Sequence, residues 1–101
     1  MEFAIDVPYE RLAEFARKWR IVELSLFGSI VKPNEFRDDS DVDVLVAFDP
    51  NVRWSAFRFI DMKDELASIF GREVDLVDHD AVRNPFVRTS IFTTRQVVYA
   101  A

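Results

Sequence analysis

The chain has 101 residues, of which half are hydrophobic and 31% are charged, and its formal net charge at pH 7 is −5. This size and composition predict one globular domain, 1–101, with a sizeable core and no room for a second domain. Cysteine is absent and histidine occurs once, which excludes disulfides, iron–sulfur clusters, thiol chemistry and Cys/His zinc sites.

The charge and the hydropathy pattern also limit the partners. Proteins that bind long nucleic acids usually present a basic face that neutralises phosphates, whereas the basic residues here are scattered and outnumbered. No apolar run approaches the roughly 18–20 residues that cross a bilayer. The N-terminus has neither the basic start nor the apolar stretch of a signal peptide. We therefore expect a cytoplasmic protein without a membrane or a long nucleic acid as its partner.

The first half of the chain predicts a helix followed by two strands. Pro8 is suited to be the first residue of an amphipathic helix of about three turns. Residues 21–27 then alternate in hydrophobicity and predict a strand. The apolar face of this strand consists of Val22, Leu24 and Leu26. After a loop at 32–40, alternation resumes at 41–48 and predicts the second strand.

The second half predicts two more helices and one or two more strands. Residues 54–70 carry an apolar stripe at helical spacing, and Gly71 occupies the position of a helix C-cap. A short strand is expected at 73–77, a short helix at 84–93 and a terminal strand at 96–99. The order α-β-β-α-β-α-(β) predicts an α/β (α+β) fold in which helices pack on a small mixed sheet.

Three aspartates are candidates for chemistry. Asp41 and Asp43 are two apart on the second predicted strand, so their side chains leave the same face. Asp75 lies on another predicted strand between apolar neighbours, and the three converge if the two strands are adjacent. Neighbouring carboxylates repel each other unless a cation lies between them, and Mg²⁺ prefers such oxygen ligands.

Two other interpretations of the acidic run were weighed. A solvated turn at 38–41 explains many such runs, but it does not explain why Asp43 lies inside a strand pattern. A calcium loop is supported by the spacing of residues 39, 41 and 43. It fails because Val44 stands where the loop needs glycine and Pro50 stands where it needs a bidentate glutamate.

Gly28 and Ser29 come directly after the first predicted strand. A residue without a side chain lets the backbone approach a phosphate, and the serine offers a hydroxyl and an amide. A simple tight turn is the alternative. Gly-Ser alone is weak evidence, and its spacing to the acidic pair makes it informative.

Three blocks of the sequence resemble the minimal nucleotidyltransferase (MNT) family, which is part of the DNA-polymerase-β-type nucleotidyltransferase superfamily. They are residues 26–29 (LFGS), 40–46 (SDVDVLV) and 71–77 (GREVDLV). The resemblance implies a palm-like core and a Mg²⁺-dependent transferase that uses ATP. Members are commonly antitoxins of HEPN/MNT toxin–antitoxin pairs, and some transfer AMP to a tyrosine of the HEPN toxin. It therefore implies a HEPN-family toxin, a ribonuclease, as the partner that the antitoxin neutralises, in a hetero-oligomer or beside a second copy of the chain.

The resemblance also implies roles for individual residues. Asp41 and Asp43 would hold two Mg²⁺ ions that bridge the triphosphate and the attacking oxygen. Asp75 would bind the metal at the nucleophile and help to take its proton. The Gly28 amide and Ser29 would hold the β- and γ-phosphates, and Ser40 is assigned to the nucleotide site with them.

The loop after Gly-Ser departs from the family pattern Gly-Ser-Arg-x-x-Gly. Ile30 replaces the arginine, Asn34 or Glu35 stands in the region of the second glycine, and the loop is about one residue longer. Lys32 and Arg37 are the candidates to restore the lost positive charge. Two further hypotheses therefore stay open: an antitoxin that acts by contact alone with a degraded nucleotide site, and a transferase subunit of a small-molecule-modifying complex.

One apolar cluster and the histidine complete the predictions. The cluster covers more of the 54–70 helix than one buried stripe needs, so we expect a large core, with an exposed partner surface as the alternative. Its members are Trp54, Phe57, Phe59 and Ile60. His79 is expected to be a solvated loop residue.

Overall fold

A computed structural model describes residues 3–101; Met1 and Glu2, which begin the stretch considered above for a signal peptide, lie outside the described residues. The element order is the predicted one, with a 3₁₀ turn after the first strand and another after the third. The elements are α1 (Tyr9–Lys18), β1 (Ile21–Phe27), β2 (Val42–Phe48), α2 (Ala56–Phe70), β3 (Val74–Asp78), α3 (Pro85–Thr94) and β4 (Gln96–Ala100). The 3₁₀ turns span Gly28–Val31 and His79–Ala81.

The strands form a mixed sheet in the order β3-β2-β1-β4. β1 is antiparallel to both β2 and β4, while β2 and β3 are parallel. The parallel pair is joined by α2, as a crossover between parallel strands requires. The predicted mixed sheet with packed helices is therefore confirmed, and the starts of β2 and β3 lie at the same end of the sheet.

The core lies between one face of the sheet and the helices α1 and α2. Alternate residues of β2 and β3 point into it, which leaves the residues between them on the other face. The most deeply buried members are Leu12, Leu24, Leu26, Ile30, Val42, Val44, Val46, Met62 and Leu66. Their burial supplies the main stabilisation of the fold and makes the sheet a rigid support.

Side-chain caps set the ends of the helices. Ser55 accepts a hydrogen bond from the Arg58 amide, so α2 begins at Ala56 rather than at Trp54. Gly71 ends α2 in the left-handed conformation, as predicted. The Asn84 side chain accepts from two amides at the start of α3. Pro8 precedes α1 as its N-cap instead of being its first helical residue.

Two expectations about apolar side chains need correction. Val22 is 38% exposed, because a register irregularity between Ile21 and Glu23 turns Ile21 into the core instead. The apolar cluster on α2 is split: Phe59 packs on the core, whereas Phe57 is 81% exposed. Trp54 also packs on the core, and Ile60 is exposed like Phe57.

His79 is not a freely solvated loop residue. It lies in the second 3₁₀ turn and packs edge-on against the ring of Phe92, with 4.7 Å between ring centroids. Within residues 3–101, no helix is both long and apolar enough to span a membrane.

Candidate active site

Asp43 and Asp75 are direct neighbours across the two parallel strands. The register pairs Val42 with Val74 and Asp43 with Asp75. Val42 and Val44 are fully buried in the core, so Asp43 leaves the opposite face of the sheet. The predicted adjacency of these two acids is confirmed by the strand pairing, and each carboxylate is presented from backbone that its neighbouring strand holds by hydrogen bonds.

Asp41 is close to this pair but is held differently. It was expected on the strand, but β2 begins at Val42, where the Val42 amide donates to the Glu73 carbonyl. Asp41 therefore belongs to the end of the preceding loop, and its side chain is exposed. Asp41 lies at the same end of the sheet as Asp43, but it is not part of the hydrogen-bonded ladder that fixes Asp43.

Gly28 lies against the Asp43 carboxylate. Its φ is +76°, and an added Cβ atom would be 2.1 Å from Asp43 Oδ2. Phe27, the residue before it, pairs directly with Asp43 across the β1–β2 ladder. Any side chain at position 28 would therefore strain the backbone and displace the carboxylate. Ser29 follows at once, in the 3₁₀ turn Gly28–Val31.

The altered residue of this turn, Ile30, does not point at the acids. Ile30 is fully buried in the core, and its carbonyl accepts from the Ala4 amide. Lys32 is exposed and lies near the exposed Glu35, with 3.8 Å between Nζ and Oε2. Ser40 closes a turn with Arg37: its amide donates to the Arg37 carbonyl, and its hydroxyl oxygen accepts from the Arg37 amide at 2.8 Å.

The electrostatics single out Asp43. Its burial, together with the charges of Asp75 and Asp41, raises the pKa of the Asp43 carboxyl from 3.8 to about 6. Desolvation is the largest of these causes. Within residues 3–101, none of the three acids forms an ion pair or a side-chain hydrogen bond. Their negative charge is left uncompensated by the protein.

This donor set suits a hard divalent cation. It consists of carboxylate oxygens alone, and Mg²⁺ is commonly bound by one or two carboxylates with phosphate and water completing its shell. In the described part of the chain, no three carboxylate or imidazole groups stand close enough to hold one ion together. The arrangement therefore suits an ion that is held by two of the acids and by a ligand that the ion itself brings.

Two open clefts lie near the acids, one beside Asp41 and Asp75 and the other beside Gly28. One, of about 350 Å³, is lined by Asp41 and Asp75 and by Lys63 and Asp64 of α2. The other, of about 470 Å³, runs between Gly28 and the exposed face of α3, and Lys32 is its cationic residue. The acidic end of the sheet is thus accessible from two directions.

Sequence reasoning missed Arg72. Its guanidinium contacts the loop that carries Ser40 and Asp41, although only its place after the helix cap was visible in the sequence. An arginine after a C-cap glycine is ordinary, so the pattern held no signal for this contact.

Comparison with known proteins gives a consistent result. The family model described as "Nucleotidyltransferase domain" matches residues 10–98. Protein adenylyltransferase MntA of Thermococcus cleftensis is 34% identical over 86 residues, which are 85% of this chain and 81% of that protein.

Two solved structures share the fold. A chain in the crystal structure of a toxin–antitoxin complex with AMP-PNP superposes with a TM-score of 0.76 at 20% identity, over 94% of this chain and 75% of that chain. A chain in the complex of a tri-AMPylated Shewanella oneidensis HEPN toxin with an MNT antitoxin superposes with a TM-score of 0.67 at 18% identity, over 92% and 70%.

Proposed function

This chain belongs to the family of nucleotidyltransferase domains, and we propose that it transfers AMP from ATP, with Mg²⁺, to a hydroxyl of a HEPN toxin that it neutralises as the antitoxin. The single observation that carries the catalytic part is the pairing of Asp43 with Asp75 beside Gly28. The acceptor and the partner are supported by the similarity to a protein adenylyltransferase and to MNT–HEPN complexes.

The acids supply the metal-binding and proton-accepting groups of this proposal. Asp41 and Asp43 would hold the metal ions at the triphosphate, and Asp75 would bind the metal at the attacking hydroxyl. When bound, the ions neutralise the phosphate oxygens and lower the pKa of the attacking hydroxyl. The acceptor oxygen forms a bond to the α-phosphorus, the bond from that phosphorus to the β-bridging oxygen breaks, and pyrophosphate leaves. Asp75 accepts the proton of the attacking hydroxyl.

In this proposal each of the two clefts receives one of the two substrates. The triphosphate lies on the Gly28 side, where Ser29 and Lys32 meet the β- and γ-phosphates; Ser40 completes the nucleotide site from the adjoining loop. The acceptor enters from the side of Asp75, where α2 and β3 leave an opening. A domain of this size supplies little surface for a small acceptor, which favours an acceptor that brings its own surface.

The altered loop does not favour the contact-only hypothesis. Ile30, at the position where the family pattern has an arginine, is fully buried and contributes to the core. Lys32 lies in the cleft beside Gly28 and replaces that positive charge, whereas Arg37 uses its backbone amide and carbonyl in the turn with Ser40.

The test is incubation with ATP labelled at the α-phosphate, Mg²⁺ and the HEPN-type product of a neighbouring gene. We expect label on that protein and loss of its ribonuclease activity, both abolished by Asp43→Asn. Asp38→Asn, which changes an exposed acid of the same run, is the matched control and retains both effects. Inhibition of the partner without label, unaffected by Asp43→Asn, would replace the enzyme by the contact-only antitoxin. Label on a small molecule only would favour the small-molecule-modifying complex.

A further inference from the structure

Arg72 fastens the loop that brings Asp41 to the sheet. Its Nη1 atom donates to the Ser40 carbonyl at 3.0 Å and lies 3.3 Å from the Arg37 carbonyl. Its guanidinium carbon is 4.6 Å from the centroid of the Phe36 ring. A single side chain, from the link between α2 and β3, thus contacts three positions of the loop that precedes β2.

Asp41 depends on this loop for its position. It stands outside the β2 ladder, one residue after Ser40 and one residue before the first hydrogen-bonded strand residue, Val42. The turn formed by Arg37 and Ser40 is closed by two hydrogen bonds of its own, so it moves as a unit. Arg72 ties this turn to the segment between α2 and β3, two residues before the strand that carries Asp75.

We propose that Arg72 is a positioning residue that sets the distance of Asp41 from Asp43 and thereby the affinity of the acidic site for divalent cations. This inference rests on the proposed metal site and adds a residue to it. Arg72 does not contact the ion or the nucleotide in this proposal; it limits the conformations of the loop that supplies one ligand.

The direction in which the cation affinity changes when Arg72 is replaced distinguishes a positioning role from an effect of its charge. A guanidinium near a cation site repels the cation, so removal of its charge alone would strengthen cation binding. Loss of positioning has the opposite result, because the free energy of ordering the loop must then be supplied by ion binding. Lysine keeps the charge but lacks the planar group that stacks on Phe36 and spans two carbonyls.

The chain contains a matched control. Arg88 on α3 also directs Nη1 toward two carbonyls, those of Val82 at 3.2 Å and His79 at 3.4 Å. Its guanidinium carbon also lies 4.6 Å from a phenylalanine ring, that of Phe92. It fastens residues 79–82, which contain none of the three acids. Arg88→Ala therefore removes the same contacts from a loop that the proposal does not involve.

The experiment measures ion binding without turnover. Mn²⁺ is titrated into the nucleotide-free full chain while free Mn²⁺ is followed by electron paramagnetic resonance, and Mg²⁺ is titrated by calorimetry. Since groups that orient metal ligands are commonly worth 10- to 100-fold in affinity, we expect Arg72→Ala to weaken binding about tenfold and Arg72→Lys about threefold. Arg88→Ala should stay within about twofold of the unchanged chain, because it orients no ligand.

A second readout follows the loop itself. Without metal, amide hydrogens of residues 38–41 should exchange faster in both Arg72 variants, while those of β2 keep their protection. If Arg72→Ala does not fold, both measurements are made on Arg72→Lys.

The outcomes distinguish the two proposals. Unchanged or tighter binding by the Arg72 variants overturns the positioning role, as does an equal loss in Arg88→Ala, which would indicate general destabilisation. Failure of the unchanged chain to bind either ion overturns the metal site of the proposed function, and the positioning role with it.

Discussion

Asp43 and Asp41 are two residues apart, but different kinds of contact hold them. Asp43 is inside the sheet, with Phe27 paired on one side and Asp75 on the other. Asp41 ends a loop whose connection to the sheet is made by the side chain of Arg72. The candidate site thus has two walls. In the strand wall, backbone hydrogen bonds between strands position Asp43 and Asp75. In the loop wall, side-chain contacts position Asp41.

The difference explains why the unfavourable charge interactions are concentrated at Asp43. The ladder fixes Asp43 next to Asp75 although burial and repulsion raise its pKa to about 6. The backbone of a loop residue can move away from such repulsion, whereas that of a residue paired with a strand on each side cannot. The strand wall therefore keeps a charge poised for a cation, and the loop wall adjusts around it.

The largest effect is expected from Asp43→Asn. Loss of a carboxylate that holds a metal at the reacting phosphate should lower the transfer rate by about 10³-fold. Without metal, the same variant should be more stable than the unchanged chain at pH 7.5, by roughly 1–2 kcal/mol after allowance for partial solvent screening. Urea unfolding in a chelating agent measures the second effect.

The sign of that stability gain follows from linkage. A carboxyl whose pKa is higher in the folded state than in the unfolded state costs stability as pH rises between the two values. For Asp43 this interval is 3.8 to about 6. The gain of Asp43→Asn should be complete above about pH 6 and absent below about pH 4. A variant that is less stable than the unchanged chain at pH 7.5 would contradict the poised charge on the strand wall.

The strand wall was also the predictable part of the site. Alternating valines from position 42 to 46 placed Asp43 on the open face, and Val74 and Leu76 did the same for Asp75. Their adjacency required in addition that these two strands pair, which the local pattern does not determine and the sheet register shows. Hydrophobic periodicity is a local property, so it reaches every residue that belongs to a strand.

The loop wall was not predictable in this way. The contact from Arg72 to Ser40 joins residues 32 apart, and no local pattern encodes it. Ile30 was interpreted as a lost arginine of the nucleotide site, whereas the 3₁₀ turn directs it into the core. The position of Gly28 was identified from its spacing, but its contact with Asp43 required the sheet register.

The second largest effect is expected from Gly28→Ala. The new Cβ atom would force the Asp43 carboxylate to move, and a displacement of about 1 Å in a catalytic group can cost roughly 10²-fold in rate. Activity measured with α-labelled ATP should fall by about that factor, because the strand wall is disturbed from the side of the turn.

Gly71→Ala is the control for the loss of stability caused by a side chain at a positive φ. Gly71 has a φ of +69°, close to that of Gly28, but a Cβ atom there would meet nothing within 4 Å. It should lose about 1–2 kcal/mol of stability through strain and retain its activity. In an Asp43→Ala background, the stability cost of Gly28→Ala should fall to that of Gly71→Ala. An unchanged cost would mean that the contact with Asp43 is not what excludes a side chain.

A smaller effect is expected from pH. Cation binding requires ionised Asp43, so proton release accompanies binding below its pKa of about 6. The dissociation constant for Mg²⁺ should be nearly constant from pH 7 to 8 and should rise by up to about tenfold per unit below about pH 6. Calorimetry in buffers of different ionisation enthalpy measures the released proton. Affinity that stays flat to pH 5 would assign the binding to the loop wall alone.

The smallest effect is expected from Ser25→Ala in the middle of β1. Ser25 is 1% exposed, and its hydroxyl has no hydrogen-bond partner within residues 3–101. Its partners across the two ladders are Leu45 and Val97, which offer no polar side-chain atom. Removal of an unsatisfied buried hydroxyl should raise the unfolding free energy by about 0.5–1 kcal/mol in urea.

Activity should not change in Ser25→Ala, because the ladder positions Asp43 through backbone bonds that the substitution leaves intact. A loss of stability would show that the hydroxyl is hydrogen-bonded after all. If Ser25→Ala were more stable but less active, the strand wall would not be a rigid support for Asp43. The site would then depend on side-chain packing on both walls, and the distinction between Asp43 and Asp41 would be one of degree.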